Sequence, residues 1–313
     1  MKLFVLNSLQ QPMSTPQLVL DSSNVYGVSM DCKLGQFMMG GSNFSDIGMG
    51  LLTTEIKKIA LSGKKVGIAV MCGDFARNIA GVRYVTLQEK HHQGSTDADP
   101  TWMSVPVFYQ KEYKDYLYRF FDWFYNGLVK DSKVWDAIDH VKVAGVVQKS
   151  PEFRTLDQHF LPSGDPYNNA ALVWKAEGYT SGIVKSALED IIRTFCEKFW
   201  EKQRIIQIIS GLSGWVCIKG EEICYPNQRE NIGKWIINSV TKPIGVMPGW
   251  CFLNTTSTPP AYVSDVPCFY QTENNSNITY AQLEAAIEYG RAHNGEIIEM
   301  QWTIFRKYPM IIA

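Results

Sequence analysis

Short, nearly continuous apolar runs recur along the chain, and in the intervals between them apolar residues fall at helical spacing. The runs are Met1–Ser8, Val25–Asp31, Lys65–Met71, His140–Gln148, Arg204–Ser210, Lys242–Met247, Val266–Gln271 and Glu296–Trp302. Strands that are apolar on both sides belong to parallel sheets covered on both faces. Pro16–Leu20 also reads as strand material, and one of the two N-terminal runs starts the sheet. Helical spacing marks Leu51–Ser62, stopped by Gly63, and Val107–Asn126, closed by Gly127. It returns from about Gly182 to Trp200 and over Asn227–Val240. Thr279 with Gln282 has the form of a capping box, opening a helix that ends near His293 with Gly295 beyond it. Gly73–Met103 and Pro248–Asp265 show neither rhythm and read as loops.

Strand, helix and strand in this order argue for an α/β fold with a parallel sheet and covering helices. About eight strands favour a closed (β/α)8 barrel of the TIM type over an open doubly wound sheet. No Gly-rich turn of the G-x-G-x-x-G or P-loop type follows a strand, which removes support for a dinucleotide or nucleotide-triphosphate fold. Repeats and linkers are absent, so residues 1–313 read as one barrel domain. Its long loops, Gly73–Met103 and Gly249–Asp265, are expected on the face that carries the chemistry. With 313 residues, 45% of them hydrophobic, the chain can fill a barrel of roughly 250 residues plus insertions.

Charge and cysteine usage narrow the partners. A net charge of −1 offers no basic field for a polyanion, so nucleic acid is disfavoured. No uninterrupted apolar window of about eighteen residues is present, so no membrane span is expected. Met1–Gln11 carries one Lys and an apolar run too short for a signal peptide, which leaves the balance with an N-terminal strand and a cytoplasmic location. The seven cysteines form no C-x-x-C pair and have no His at zinc-ligand spacing. They read as reduced thiols, with Cys217 and Cys224 the one pair that oxidation could bridge. Neither a cofactor nor a metal is expected: His91 and His92 near Asp97 and Asp99 lack a third ligand at typical spacing.

The candidate chemistry lies in two glutamates just past apolar runs. Glu152 follows His140–Gln148, and Glu273 follows Val266–Gln271 and Thr272. A parallel barrel places its reactive groups past the carboxyl ends of its strands, and two facing carboxyl groups are what glycoside cleavage requires. Glu152 would then be the general acid/base and Glu273 the nucleophile, kept ionised by donors such as Gln271. Sugar rings present C–H faces that stack on indole, and tryptophans lie in or beside the expected loops: Trp102, Trp174, Trp215, Trp250 and Trp302. Trp302, after the last strand, is the leading candidate for a subsite wall, with Trp102 and Trp250 beside it. Asp74 after the third strand and His159 beside Glu152 complete the expected carbohydrate-binding set. The aromatic residues of Tyr113–Tyr125, at helical spacing, read as core.

In layout the chain resembles the (β/α)8 glycoside hydrolases of the large retaining clan, and among them the β-galactosidase-like members. The resemblance runs from about Val25 to Trp302. Ser42–Asp46, the helix to Ser62 and the strand Lys64–Met71 follow the family's order, as do Trp102, Pro106, Tyr113–Tyr125 and His140–Gln148. It places the nucleophile at Glu273, and Ile297–Glu299 matches the family's eighth strand. The fourth-strand motif is degenerate: the Asn-Glu pair is missing, and Glu152 stands instead in Lys149-Ser150-Pro151-Glu152. Cys32–Gly41 replaces the family's tryptophan-acid pattern after the second strand. The resemblance implies a retaining hydrolase acting on a β-linked glycan. The degenerate motif points to the alternative, a catalytically inactive glycan-binding or structural barrel within an extracellular or virion assembly. Neither reading defines an oligomeric state.

Overall fold

The computed structural model describes residues 1–8, 14–40, 43–72, 76, 78–89, 101–142, 170–199, 205–208, 234–235, 244–247, 250–251, 267–272 and 277–312. The first part runs β1 (Lys2–Ser8), α1 (Gln17–Asp21), β2 (Gly27–Lys33), a 3-10 turn at Leu34–Phe37, α2 (Asp46–Leu61) and β3 (Lys65–Met71). Then come β4 (Tyr84–Glu89), β5 (Thr101–Pro106), α3 (Lys111–Val129), α4 (Ser132–Ala137) and β6 (Ile138–Lys142). After α5 (Ala170–Ala176) and α6 (Ser181–Lys198) follow β7 (Ile205–Ile208), β8 (Ile244–Met247) and β9 (Trp250–Cys251). The chain closes with β10 (Cys268–Thr272), α7 (Tyr280–Ala292), β11 (Gly295–Gln301) and α8 (Trp302–Lys307).

The main sheet has the order β11-β1-β2-β3-β6-β7-β8-β10-β9, and β10 pairs with β11 as well, so the sheet curls round. Every pairing in it is parallel. Its outer face joins the helices in one apolar core through residues such as Val5, Met30, Ile68 and Met300. Phe4, Phe269 and Ile297, on alternate positions, form a separate apolar cluster inside the curl. The α/β class and the parallel sheet thus follow the expected pattern. β3 and the capping box agree closely: Thr279 Oγ1 accepts from Gln282 N at 3.3 Å, and Thr279 N donates to Gln282 Oε1 at 2.8 Å. The aromatic side of α3 is core, with Tyr113, Tyr116, Phe120, Phe121 and Phe124 buried.

Several local expectations are corrected. Residues 17–21 are a short helix rather than a strand, so β1 alone starts the sheet. Gly73–Met103 is not all loop, because β4 and the start of β5 lie within it as an antiparallel hairpin. Val85 and Val105 face the core while Thr86 and Ser104 alternate with them, a half-buried pattern unlike the continuous runs of the main sheet. Gly127 does not close α3 but sits inside it. A Cβ there would come within 2.5 Å of Met49 Cε on α2, so the glycine permits close helix packing. The exit from α7 uses Asn294, at φ 58°, rather than Gly295, which begins β11.

Gly27 shows how tightly the sheet curls. A Cβ at this position would lie 2.3 Å from the Phe4 ring and 2.6 Å from the Lys65 carbonyl oxygen. The backbone contact cannot turn away as a side-chain tip could. Gly27→Ala is therefore expected to destabilise the fold by about 1–3 kcal/mol, read as a lower midpoint in urea. A midpoint equal to that of the wild type would contradict this packing.

Candidate functional site

Period-two alternation places a polar layer above the apolar one inside the curled sheet. Phe4 packs against the His140 ring at 4.9 Å between centroids, and Phe269 lies 6.0 Å from it. Gly67 makes room for that ring, since a Cβ there would stand 2.1 Å from His140 Nε2. Two residues further toward the carboxyl ends come Ser29 after Gly27, Lys142 after His140, Gln271 after Phe269 and Glu299 after Ile297, with Asp31 beyond Ser29. All five polar residues are buried.

Glu299 is the hub. Lys142 Nζ donates to its Oε2 at 2.6 Å, and Ser29 Oγ donates to its Oε1. His140 Nε2 stands 3.7 Å from the same Oε1, while His140 Nδ1 is 3.1 Å from Asp139 Oδ2. Lys142 Nζ also lies 3.6 Å from Asp31 Oδ1, an ion pair too long for a hydrogen bond. Burial by itself would push the Glu299 carboxyl up, but Lys142 and His140 outweigh it and hold the group at about 2. Burial would lower Lys142, yet Glu299 and Asp31 together raise it, so its ammonium stays charged. Asp31 moves the other way: burial raises its carboxyl against the opposing pull of Lys142. Glu299 is therefore a fixed anion, Lys142 a fixed cation, and Asp31 the carboxyl with a raised pKa. Cys32, Cys72, Cys196 and Cys268 are buried and in no disulfide, and burial raises each thiol, Cys196 to about 12, so none has thiolate character.

The structure draws together part of the expected set. Gln271 is buried on β10, in register with Glu299 on one side and Trp250 of β9 on the other. Thr272 Oγ1 accepts from Gln301 N at 3.2 Å, joining the ends of β10 and β11. Trp302 follows directly as the first residue of α8, where it is half-buried against the apolar core, with its ring 6.3 Å from Phe305. Trp102 is not in a loop but in β5, opposite Gln88 of β4. Trp174, also expected near a loop, is fully buried between Phe108, Tyr109 and Tyr179 and is core. Glu152, Glu273, Asp74 and His159 lie outside the described residues, as do Trp215, Cys217 and Cys224. Among the described residues no group of three or more His, Cys, Asp or Glu is placed to hold a metal ion, and no helix is long and apolar enough to cross a membrane.

Sequence reasoning missed the Asp31–Lys142–Glu299 network. Its signal was present: in parallel strands apolar on both faces, a charge at every second position must point into the sheet's own interior.

Neither a family model nor a curated protein sequence matches the chain. Solved structures do match in fold. The catalytic domain of β-amylase from Paenibacillus polymyxa aligns over 96% of this chain and 91% of its own, with 12% identity and a TM-score of 0.58. PbGH5A, a glycoside hydrolase family 5 enzyme from Prevotella bryantii B14, aligns over 96% and 88%, with 9% identity and a TM-score of 0.51. The old yellow enzyme from Trypanosoma cruzi aligns over 100% and 89%, with 10% identity and a TM-score of 0.50. The chain is thus an α/β protein with a curled parallel sheet, similar in fold to TIM-barrel glycoside hydrolases. Because an old yellow enzyme shares that fold, the fold alone does not select the chemistry.

Proposed function

We propose that residues 1–313 form one complete (β/α)8 barrel that cleaves a β-linked glycan, with Glu273 as nucleophile and Glu152 as acid/base. The observation that carries this reading is the register at β10. Gln271 belongs to the buried polar layer, Thr272 ends the strand, and Glu273 is the next residue. β10 is the seventh main-sheet strand in chain order once the two-residue β9 is set aside, and a carboxylate directly beyond such a strand suits the end where parallel barrels hold their reactive groups. Fold similarity to β-amylase and a family 5 glycoside hydrolase supports the same class. Retention requires the two carboxyl groups roughly 5–5.5 Å apart, with a glycosyl-enzyme formed on one and protonation of the leaving oxygen by the other. Trp302, Trp250, Trp102, Gln271, Asp74 and His159 make up the proposed sugar-binding set.

One observation favours a second reading, a glycan-binding barrel without catalysis. The inner positions of β6, His140 and Lys142, belong to the buried network around Glu299, and the strand's carboxylate, Asp139, stands near its amino end beside His140 Nδ1, so no inner position of β6 carries a carboxylate up to its last described residue. Glu152 separates the two readings. If it is the acid/base, Glu152→Ala slows substrates with poor leaving groups by roughly 10²–10⁴-fold while activated aryl glycosides are far less affected. Azide then restores turnover by attacking the glycosyl-enzyme from the vacated space. Uniform loss across leaving groups removes Glu152 from the mechanism.

A further inference from the structure

Asp31 occupies the inner position of β2 nearest the carboxyl end of the buried polar layer, two residues before the strand ends at Lys33. It is 6% exposed, and its Oδ1 is buried without a hydrogen-bond partner. Lys142 does not supply one, since its short bond goes to Glu299 at 2.6 Å and leaves Asp31 at 3.6 Å. Glu299, two oxygens satisfied, already compensates the lysine. Asp31 is therefore a second carboxylate beside one cation, in surroundings where an unsatisfied polar oxygen is costly and rare. One layer below, His140 Nε2 is also without a hydrogen-bond partner and is closed in by Phe4, Phe269 and Gly67. In register with Asp31 on the neighbouring strands stand Ser8 and Ala69. Asp31 also stands toward the strand ends where curled parallel sheets take their ligands.

We propose that Asp31 is a ligand-recognition residue whose Oδ1 accepts a hydrogen bond from a donor group, a hydroxyl or an ammonium, on a sugar ring bound at the carboxyl ends of the strands. This deepens the glycan reading above and rests on it. Raised by burial, the carboxylate gains from a donor that only the bound state provides. Asp31 is thus a group that is unfavourable for the empty fold and useful to the occupied one.

The test is calorimetric titration of the wild type and Asp31→Asn with methyl β-glycosides of glucose, galactose and mannose and of the corresponding 2-amino-2-deoxy sugars, together with thermal melts of both proteins. The wild-type panel is read first: if no member binds, the glycan reading fails and takes this inference with it. Given wild-type binding, Asp31→Asn is expected to weaken it by roughly ten- to a hundredfold at an unchanged or higher melting temperature. Equal losses for hexose and hexosamine assign a hydroxyl, and a larger loss for the hexosamine assigns the ammonium. Unchanged affinity, a lowered melting temperature or failure to fold would each overturn the proposal and make Asp31 a structural partner of Lys142.

Discussion

Lys142→Met is expected to destabilise the chain by about 3–5 kcal/mol, because it breaks a buried ion pair by removing one partner. Lys142 and Glu299 are each 1% exposed at their side chains, and Asp31 is 8%. Removing the ammonium leaves Glu299 and Asp31 as buried charges without a cation between them. Methionine fills much the same volume, so the loss reports on charge rather than on a cavity. Thermal unfolding followed by circular dichroism reads the effect. A melting temperature within a degree or two of the wild type would show that the network is not maintained in solution. The double variant Lys142→Met/Glu299→Gln should lose less than the sum of its single changes, because removing both partners of a buried pair is far milder than removing one. Acid supplies an independent check. Glu299 is held below its ordinary 4.5, at about 2, so its contribution is complete above 4.5 and is lost as pH falls toward 2. Asp31 has the opposite sign: its raised carboxyl costs stability once ionised, and that cost disappears as pH falls through its folded value. Lys142→Met should therefore abolish the loss of stability between 4.5 and about 2 that Glu299 brings to the wild type.

Glu273→Gln is expected to reduce hydrolysis of an activated aryl β-glycoside by roughly 10⁴-fold or more, with the fold unchanged. Glutamine keeps the shape but cannot form the glycosyl-enzyme ester, so the first bond-breaking step has no nucleophile. Turnover of nitrophenyl glycosides by both proteins measures the effect, and matching circular dichroism excludes unfolding. A 2-deoxy-2-fluoro glycoside should label the wild type at Glu273 and leave the variant unlabelled, because the fluorine slows breakdown of the ester more than loss of the activated leaving group. An active Glu273→Gln would remove this residue from the chemistry. A wild type that binds glycosides but hydrolyses none in a broad panel would favour the binding barrel.

The strand–helix order was legible in the sequence because parallel strands covered on both faces are apolar at every position, while helices are apolar on one side only. The runs at Lys65–Met71 and Glu296–Trp302 and the Thr279–Gln282 cap could be placed from local spacing, since hydrogen bonding within a turn or along a strand depends on neighbours in sequence. The β4–β5 hairpin was harder to read because only its Val85 and Val105 side is buried and the polar side resembles a loop. The short helix at 17–21 was hidden for another reason: its five residues are too few to show a helical period. What tertiary structure alone decided is the buried polar network around Glu299. Ser29, Asp31, His140, Lys142 and Glu299 come from strands up to 270 residues apart, and a buried lysine is stable only where a carboxylate meets it. No local pattern specifies that meeting. The sequence determined which residues face inward; the curl of the sheet brought Lys142 to Glu299 and left Asp31 Oδ1 without a donor.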